Sequence, residues 1–277
     1  MPELPEVEHL VRGLRRAVLG RQIIATEVRL PKLIAPTSPS TFNRKLKGGR
    51  ITGVGRRGKF ILIEIDSGRV LLVHLRMTGK FQVLSPDDPL PPHVHAIFYL
   101  DDERRLVFRD QRQFGVMKLI TGARLSKTKG ITDLAPEPFS DDFSIAYLSQ
   151  VLRRSQRTLK SLLLDQTRVV GLGNIYAAEA LYRAGVNPFK IASRLGSRRV
   201  ERLHQAIRDV LRAAISGSST RRINLESPNG FSYGQIFEDV WQVYEREGQP
   251  CFKCGTRIRR IVHGGRSTYW CPRCQRH

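Results

Sequence analysis

The tightest constraint on this chain is the spacing of its four cysteines, Cys251-x2-Cys254 and Cys271-x2-Cys274, with sixteen residues between the pairs. Two such pairs read as a tetrahedral zinc site. No cysteine is left for another role, and a reducing compartment favours metal over disulfides. Four thiolates complete the zinc shell and leave no position for water, so the metal is expected to be structural. One zinc per chain is expected, and no organic cofactor. The stretch 242–277 therefore folds around an ion, with its cysteine pairs on two hairpin knuckles. Between the pairs lie Arg257, Arg259, Arg260, His263 and Arg266. They are either a solvated basic hairpin or a rigid ribbon that presents arginine to phosphates.

Charge narrows the partner. Lys and Arg number 47 against 25 Asp and Glu, a formal net charge of +22. An excess of that size points to a polyanion. No apolar run approaches the roughly 18–20 residues of a membrane span, and the acidic, proline-rich start is unlike a secretory signal. A cytoplasmic protein acting on nucleic acid, with no membrane partner, is the expectation. A length of 277 residues suggests two domains, or one and a small module.

Periodicity divides the rest. Val7, Leu10, Val11, Leu14 and Val18 recur at helical spacing, with Gly20 to end the helix. Segments 22–30, 59–65, 69–76, 95–101, 104–109 and 115–120 are short, apolar and punctuated by Gly, Pro and Asp, as strands are. Phe60–Ile65 is so continuously apolar that burial on both faces is expected. Residues 123–141 have the composition of a linker. Helical patterns follow at 143–153, 158–165, 174–184 and 196–216, the last with Val200, Leu203, Ile207, Val210, Leu211 and Ala214 in one stripe. The fold class is α+β: an N-terminal helix with a β-sandwich (1–125), a linker (126–141), a helical domain (142–235) and a β-hairpin zinc finger (242–277).

Two further signals are weaker alone. Gln166–Asn174 contains Gly171 and Gly173 before a helix, with Asn174 suited to its N-cap. The exposed N–H groups of such a helix start attract anions, and Lys160 could add charge, but the motif is equally an ordinary turn. At the N-terminus, removal of Met1 would expose Pro2 as a secondary amine with a pKa near ~8. Such an amine can attack a sugar C1′ and form an iminium, an electron sink for β-elimination. Glu3 beside it could shuttle protons. Alone, Pro2 is only a common second residue.

Together these blocks resemble the bacterial formamidopyrimidine-DNA glycosylase family, related to endonuclease VIII, over nearly the whole chain. The matching blocks are Met1-Pro2-Glu3-Leu4-Pro5-Glu6-Val7-Glu8, Arg56–Phe60, His74–Gly79 with Asp110–Gly115, Leu163–Ala177 and Gln249–Cys274. Leu4 favours the formamidopyrimidine branch. The resemblance implies a helix-two-turn-helix element in 142–235. It also implies a base-excision glycosylase and abasic-site lyase that removes 8-oxoguanine and formamidopyrimidines and cuts the strand by β,δ-elimination. It makes Pro2 the nucleophile, Glu3 the acid that helps open the sugar, and Glu6 its support. Lys59 would contact phosphate and lesion, and Arg266 would clamp the flanking phosphates. His74, His93, Arg112, Lys160 and Asn174 match DNA-contacting positions, and Met77, Arg112 and Phe114 the set that fills the space of an extruded base. Extrusion costs a few kcal/mol, which apolar wedges partly offset. Without the resemblance, Met77 and Phe114 read as core, Lys59 equally as an edge lysine, and His74 and His93 as ordinary polar residues.

The chain departs from the family pattern at Arg76, where glycine is usual, at Gln111 and Gln113, and at Ser155. The largest departure is Ser219–Tyr233, in place of a glycine-rich loop that closes over the extruded purine. Two other readings therefore stand beside the first: an endonuclease VIII-like enzyme for oxidised pyrimidines or abasic sites, and a non-catalytic zinc-ribbon DNA-binding protein. The expected partner is double-stranded DNA carrying oxidised bases or abasic sites, the expected source bacterial with association to the nucleoid, and the expected state a monomer.

Overall fold

The structure is a computed structural model that describes residues 1–217, 224–225 and 241–276. The chain forms two compact units. The first is Met1–Thr132 together with the described Asn224 and Leu225; the second is Asp133–Gly217 together with 241–276. No described helix is long and apolar enough to cross a membrane. Of the divergent stretch Ser219–Tyr233, all but Asn224 and Leu225 lies outside the described residues.

The first unit begins with α1 (Leu4–Val18). Val7, Leu10, Val11, Leu14 and Val18 form its buried stripe, and Gly20, at φ 79°, turns the chain out of the helix. Two four-stranded antiparallel sheets follow. One has the order β1 (Ile23–Val28), β6 (Val94–Leu100), β7 (Arg105–Arg109), β5 (Lys80–Leu84). The other runs β2 (Ile51–Arg57), β3 (Phe60–Ile65), β4 (Arg69–His74), β8 (Val116–Thr121). A short helix, α2 (Pro39–Leu46), packs on β1 and is capped by the Ser38 hydroxyl, which accepts the Thr41 N–H. The core joins α1 to both sheets and includes Leu225, whose carbonyl accepts the Val83 N–H at 2.9 Å.

Two findings revise the strand pattern. β3 is not buried on both faces: Ile61, Ile63 and Ile65 are buried, whereas Phe60 and Leu62 are half-buried and Glu64 is exposed. The outer face of this sheet is covered in part by the short 3₁₀ segment Gly122–Lys127 and the neighbourhood of Gly130. The most buried strand of this sheet is β4, where Val70 to Val73 are all inside. Strands β2 and β5 and helix α2 had no clear signal. The sequence Ile51-Thr52-Gly53-Val54-Gly55-Arg56-Arg57 carries two glycines and two arginines, which masks its alternation.

The second unit holds α3 (Ile145–Arg153), α4 (Leu159–Leu163), α5 (Asn174–Ala184) and α6 (Ser197–Gly217), then a hairpin of β9 (Arg259–His263) and β10 (Arg266–Trp270). Val200, Leu203, Ile207 and Leu211 are buried along α6, with Val210 and Ala214 at the margin. Asn174 is the first residue of α5 and Gly173 its cap, so Asn174 does not cap the helix; its side chain is used elsewhere. The first cysteine pair lies in a turn closed by the Cys251 N–H on the Thr256 carbonyl. The second pair follows β10 and is not inside a hairpin.

One buried carboxylate joins the cysteine module to the helices. Glu179 of α5 accepts the backbone N–H groups of Gln242, Val243 and Tyr244, each at 2.9 Å. Burial pushes its carboxyl above the usual range, and those three donors hold it back. Gln275, almost fully buried, accepts the Cys271 N–H at 2.8 Å and donates to the Val186 carbonyl at 3.0 Å. Replacing Glu179 with alanine leaves three successive donors without an acceptor, and each buried unpaired group costs about 1–3 kcal/mol. The variant should lose on the order of 3 kcal/mol in urea unfolding; a loss below the scatter of the measurement would mean that Glu179 does not hold the module.

Candidate functional site

In the first unit the chain start is fixed by a reciprocal pair. Glu3 caps α1, and Glu3 and Glu6 form a capping box in which each side chain accepts the other's backbone N–H; Glu6 Oε2 lies 2.7 Å from the Glu3 nitrogen. Both carboxylates are inside, Glu3 at 2% exposure and Glu6 at 3%. Pro2 is buried just before them, and Met1 is exposed.

Side-chain bonds set where that start lies. The Arg15 guanidinium donates to the Val54 carbonyl at 2.6 Å, and Arg56 pairs with Glu8 at 2.8 Å. Burial would raise the Glu8 carboxyl, but Arg56 and Arg12 together hold it below the usual range. Going back along α1 therefore means going forward along β2. Five helical residues before Glu8, or about 7.5 Å, bring Glu3 to the end of the sheet where β2 turns into β3. Lys59 occupies that turn, 5% exposed, after Gly58 at φ 56°.

His74 closes β4 at the same end, opposite Phe60 in the register and in edge contact with its ring at 4.7 Å. Burial, reinforced by the charges of Arg76 and Lys59, lowers its pKa to about 3. Its Nδ1 accepts the Arg76 N–H at 3.0 Å. The neutral ring therefore carries its proton on Nε2 and offers a donor. Arg76 itself sits at φ 55°, which suits glycine better than a branched side chain.

The loops 75–79 and 110–115 are tied together. The Thr78 hydroxyl donates to Asp110, the Arg112 N–H donates to Thr78 Oγ1 at 3.0 Å, and the Gly115 N–H donates to Asp110 Oδ2 at 2.7 Å. A side chain at Gly79 or Gly115 would strike Phe108, with Cβ distances of 2.9 and 2.7 Å to its ring. The clamp presents Met77 and Phe114 at 40% and 52% exposure, with the Arg112 guanidinium over the Phe114 ring at 4.9 Å. They are not core residues. His93 is exposed at φ 65°, and its carbonyl accepts the Asp110 N–H. Buried His95 bonds the Asp110 carbonyl at 2.9 Å. Thr78, His95 and Asp110 were not anticipated; residue type alone does not separate such struts from ordinary polar residues.

In the second unit the Ser267 carbonyl is gripped twice, by Lys160 Nζ at 2.6 Å and Asn174 Nδ2 at 3.0 Å. Lys160 is 1% exposed and also donates to Thr268 Oγ1. Both residues thus hold the strand that Arg266 opens. Arg266 is exposed, beside a cleft of about 450 Å³ that His263 and Arg157 also line. The four cysteine sulfurs lie within 4.8 Å of one another. The Sγ–Sγ spacings of Cys251–Cys274 and Cys254–Cys271 are 3.8 and 3.5 Å. A tetrahedron with ~2.3 Å Zn–S bonds has edges of about 3.8 Å, so the thiol cage fits zinc.

The formamidopyrimidine-DNA glycosylase N-terminal domain profile matches residues 1–117, the H2TH domain profile of the same enzymes 134–224, and the zinc finger found in FPG and IleRS 248–276. The formamidopyrimidine-DNA glycosylase of Pelotomaculum thermopropionicum is 44% identical, covering 100% of this chain and 99% of that protein. The Bacillus subtilis enzyme of that name is 43% identical over 99% of both. Among solved structures, the Lactococcus lactis Fpg in complex with abasic-site DNA aligns at TM-score 0.90 and 33% identity, covering 99% of this chain and 100% of that one. A complex of the wild-type L. lactis protein with N7-benzyl-Fapy-dG DNA aligns at 0.91 and 33%, covering both chains fully.

Metal analysis should find one zinc per chain, and Cys254→Ser should bind none and lose the fold of the hairpin; retained zinc would break the four-thiolate assignment. His74 supplies a second test. Its imidazole stays neutral in the fold but protonates in the unfolded chain, so acid favours unfolding between pH 6.5 and about 3 and has no such effect above 6.5. The melting temperature of the native chain should therefore fall more steeply with acid than that of His74→Gln. Parallel curves would mean that His74 is not held neutral.

Proposed function

Because the chain belongs to the formamidopyrimidine-DNA glycosylase family, we propose that it excises oxidised purines from double-stranded DNA through Pro2 and then cuts the strand at the resulting site. The observation that carries this reading is the capping box, which fixes Glu3 at the helix start directly after the buried Pro2. The positive end of a helix dipole disfavours a cation, so it favours the neutral, nucleophilic amine once Met1 is gone. Glu3, next to it, can take up and return a proton.

The chemistry balances with these groups. The Pro2 nitrogen bonds to C1′ as the bond from C1′ to the base breaks, and the departing base takes a proton from solvent. The Glu3 carboxylate takes the proton that the Pro2 nitrogen sheds and passes it to O4′, the ring opens, and the C1′–N bond becomes an iminium. Loss of a C2′ proton then expels the 3′ phosphate, and a second elimination expels the 5′ phosphate. Lys59 and the Nε2–H of His74 bind phosphate in this reading, with Arg266 on the flanking phosphates and His93, Lys160 and Asn174 supporting backbone contacts. Met77, Arg112 and Phe114 occupy the space of the extruded base, with Arg112 against its former partner. Zinc takes no part in these steps; bound to Cys251, Cys254, Cys271 and Cys274, it holds the finger together.

We further place the catalytic chemistry in 1–125, the linker in 126–141, and duplex binding in the helix-two-turn-helix segment 142–235 and the finger 242–277. The relatives named above are bacterial, which supports a bacterial enzyme; in this reading it is a monomer of the cytoplasm that associates with the nucleoid through DNA.

Borohydride should trap the chain covalently on 8-oxoguanine:cytosine and abasic duplexes. Pro2→Gly should abolish trapping and cutting while duplex binding persists, and Glu3→Gln should slow ring opening, read as borohydride trapping and strand cutting, by about 10²–10⁴-fold. Mass analysis of the mature N-terminus should show Met1 removed. Full cutting by a chain that keeps Met1, or by Pro2→Gly, would refute this chemistry. Faster cutting of thymine glycol than of 8-oxoguanine would move the substrate to oxidised pyrimidines.

A further inference from the structure

The end of the first unit away from Lys59 carries a second cationic cleft. It has a volume of about 480 Å³ and is lined by Arg44, Lys45, Lys47 and Arg69, with Asp66 as its one acidic residue. Arg69 opens β4 and His74 closes it, so five strand steps of ~3.4 Å put the cleft about 17 Å from the His74 end. It is a separate feature of the unit.

The charges there are uncompensated. Arg44, Lys45, Lys47 and Arg69 make no ion pair or side-chain hydrogen bond among the described residues. Asp66 is already engaged, with Oδ1 accepting the Arg50 N–H at 3.1 Å. Arg44 and Lys45 complement the C-terminal end of the α2 dipole, but that does not account for Lys47 beyond the helix or Arg69 from another element. The floor is backbone at Gly48 and Gly49, and a side chain at Gly49 would meet Ile65 at 2.5 Å. No exposed large apolar side chain lines the cleft. It therefore lacks the buried anchor that peptide recognition relies on, and any ligand is held by charge. Like charges around a concave surface focus the field outward and attract a multiply charged anion.

We propose that this cleft is a second phosphodiester-backbone site, which takes hold of another DNA segment while the first remains bound at the Lys59 end. Its function is direct transfer between duplexes, so that the chain searches DNA without passing through free solution. The proposal rests on the DNA-binding reading above.

The test uses the full zinc-loaded chain on a labelled, uncleavable duplex containing a tetrahydrofuran abasic analogue, with unlabelled lesion-free duplex as competitor. The dissociation rate should rise in proportion to competitor concentration. In the triple variant K45Q/K47Q/R69Q it should be flat, with unchanged affinity for a short labelled duplex and an unchanged melting temperature, as expected of exposed substitutions. The competitor-dependent rate should also carry about 3 units of salt slope that the variant lacks, one for each charge removed. A competitor-independent rate in the native chain, or a rise that persists in the variant, would overturn the proposal. So would a variant that binds only longer labelled duplexes more weakly, since the cleft would then hold flanking backbone of the same duplex. Tripolyphosphate in place of competitor DNA should leave dissociation unchanged; an equal rise would assign the cleft to free polyphosphate. Cutting of an 8-oxoguanine duplex, measured in parallel, reports separately on the glycosylase reading.

Discussion

The reciprocal bonding of Glu3 and Glu6 is the interaction on which the placement of the chain start depends. An unrestrained terminus loses conformational freedom when it meets a substrate. Here the helix start has already fixed Glu3, and the Arg56–Glu8 pair and the Arg15–Val54 bond fix the helix against its sheet. The same two carboxylates that close the first turn also set the local field. One arrangement thus supplies position and electrostatics, and both follow from placing Glu at the cap and at the third helical position.

The second unit follows a related logic with charged side chains bonded to backbone. Glu179 gathers three N–H groups, and Lys160 and Asn174 converge on one carbonyl. A small module around an ion has little core of its own, and the hydrophobic cluster there is short: Ala178, Tyr182, Val243, Cys251, Ile258 and Cys271. Buried charge-assisted bonds replace the missing apolar area, and removing one partner strands the other. The Tyr182 hydroxyl lies 3.1 Å from Cys251 Sγ, so α5 reaches the thiol cage directly.

The large positive charge is spread over sites of different character. Some arginines are structural struts, as Arg15 and Arg56 are. Others line clefts with few acidic neighbours, as Arg44 and Arg69 do. Composition alone sees one number for both. Whether an arginine acts on the fold or on a polyanion depends on the acceptors that its backbone position brings within reach.

Local patterns were legible where each residue could be read against its near neighbours. The α1 stripe, the helix Asn174–Ala184 and the four-thiolate spacing needed only helical period or metal geometry. The alternation of β2, the half-covered face of β3 and the strut Thr78–Asp110 were not legible, because each depends on partners tens of residues away. By itself the sequence determined the kinds of element, the zinc ligands and the candidate chemistry of Pro2 and Glu3, since these follow from short-range sterics, thiolate affinity and amine basicity. Only the tertiary structure decided that Lys160 and Asn174 grip Ser267, that His74 is a neutral donor, and that Met77 and Phe114 stand exposed. Burial and hydrogen-bond partners are properties of the packed chain, and they set which atoms remain available for chemistry.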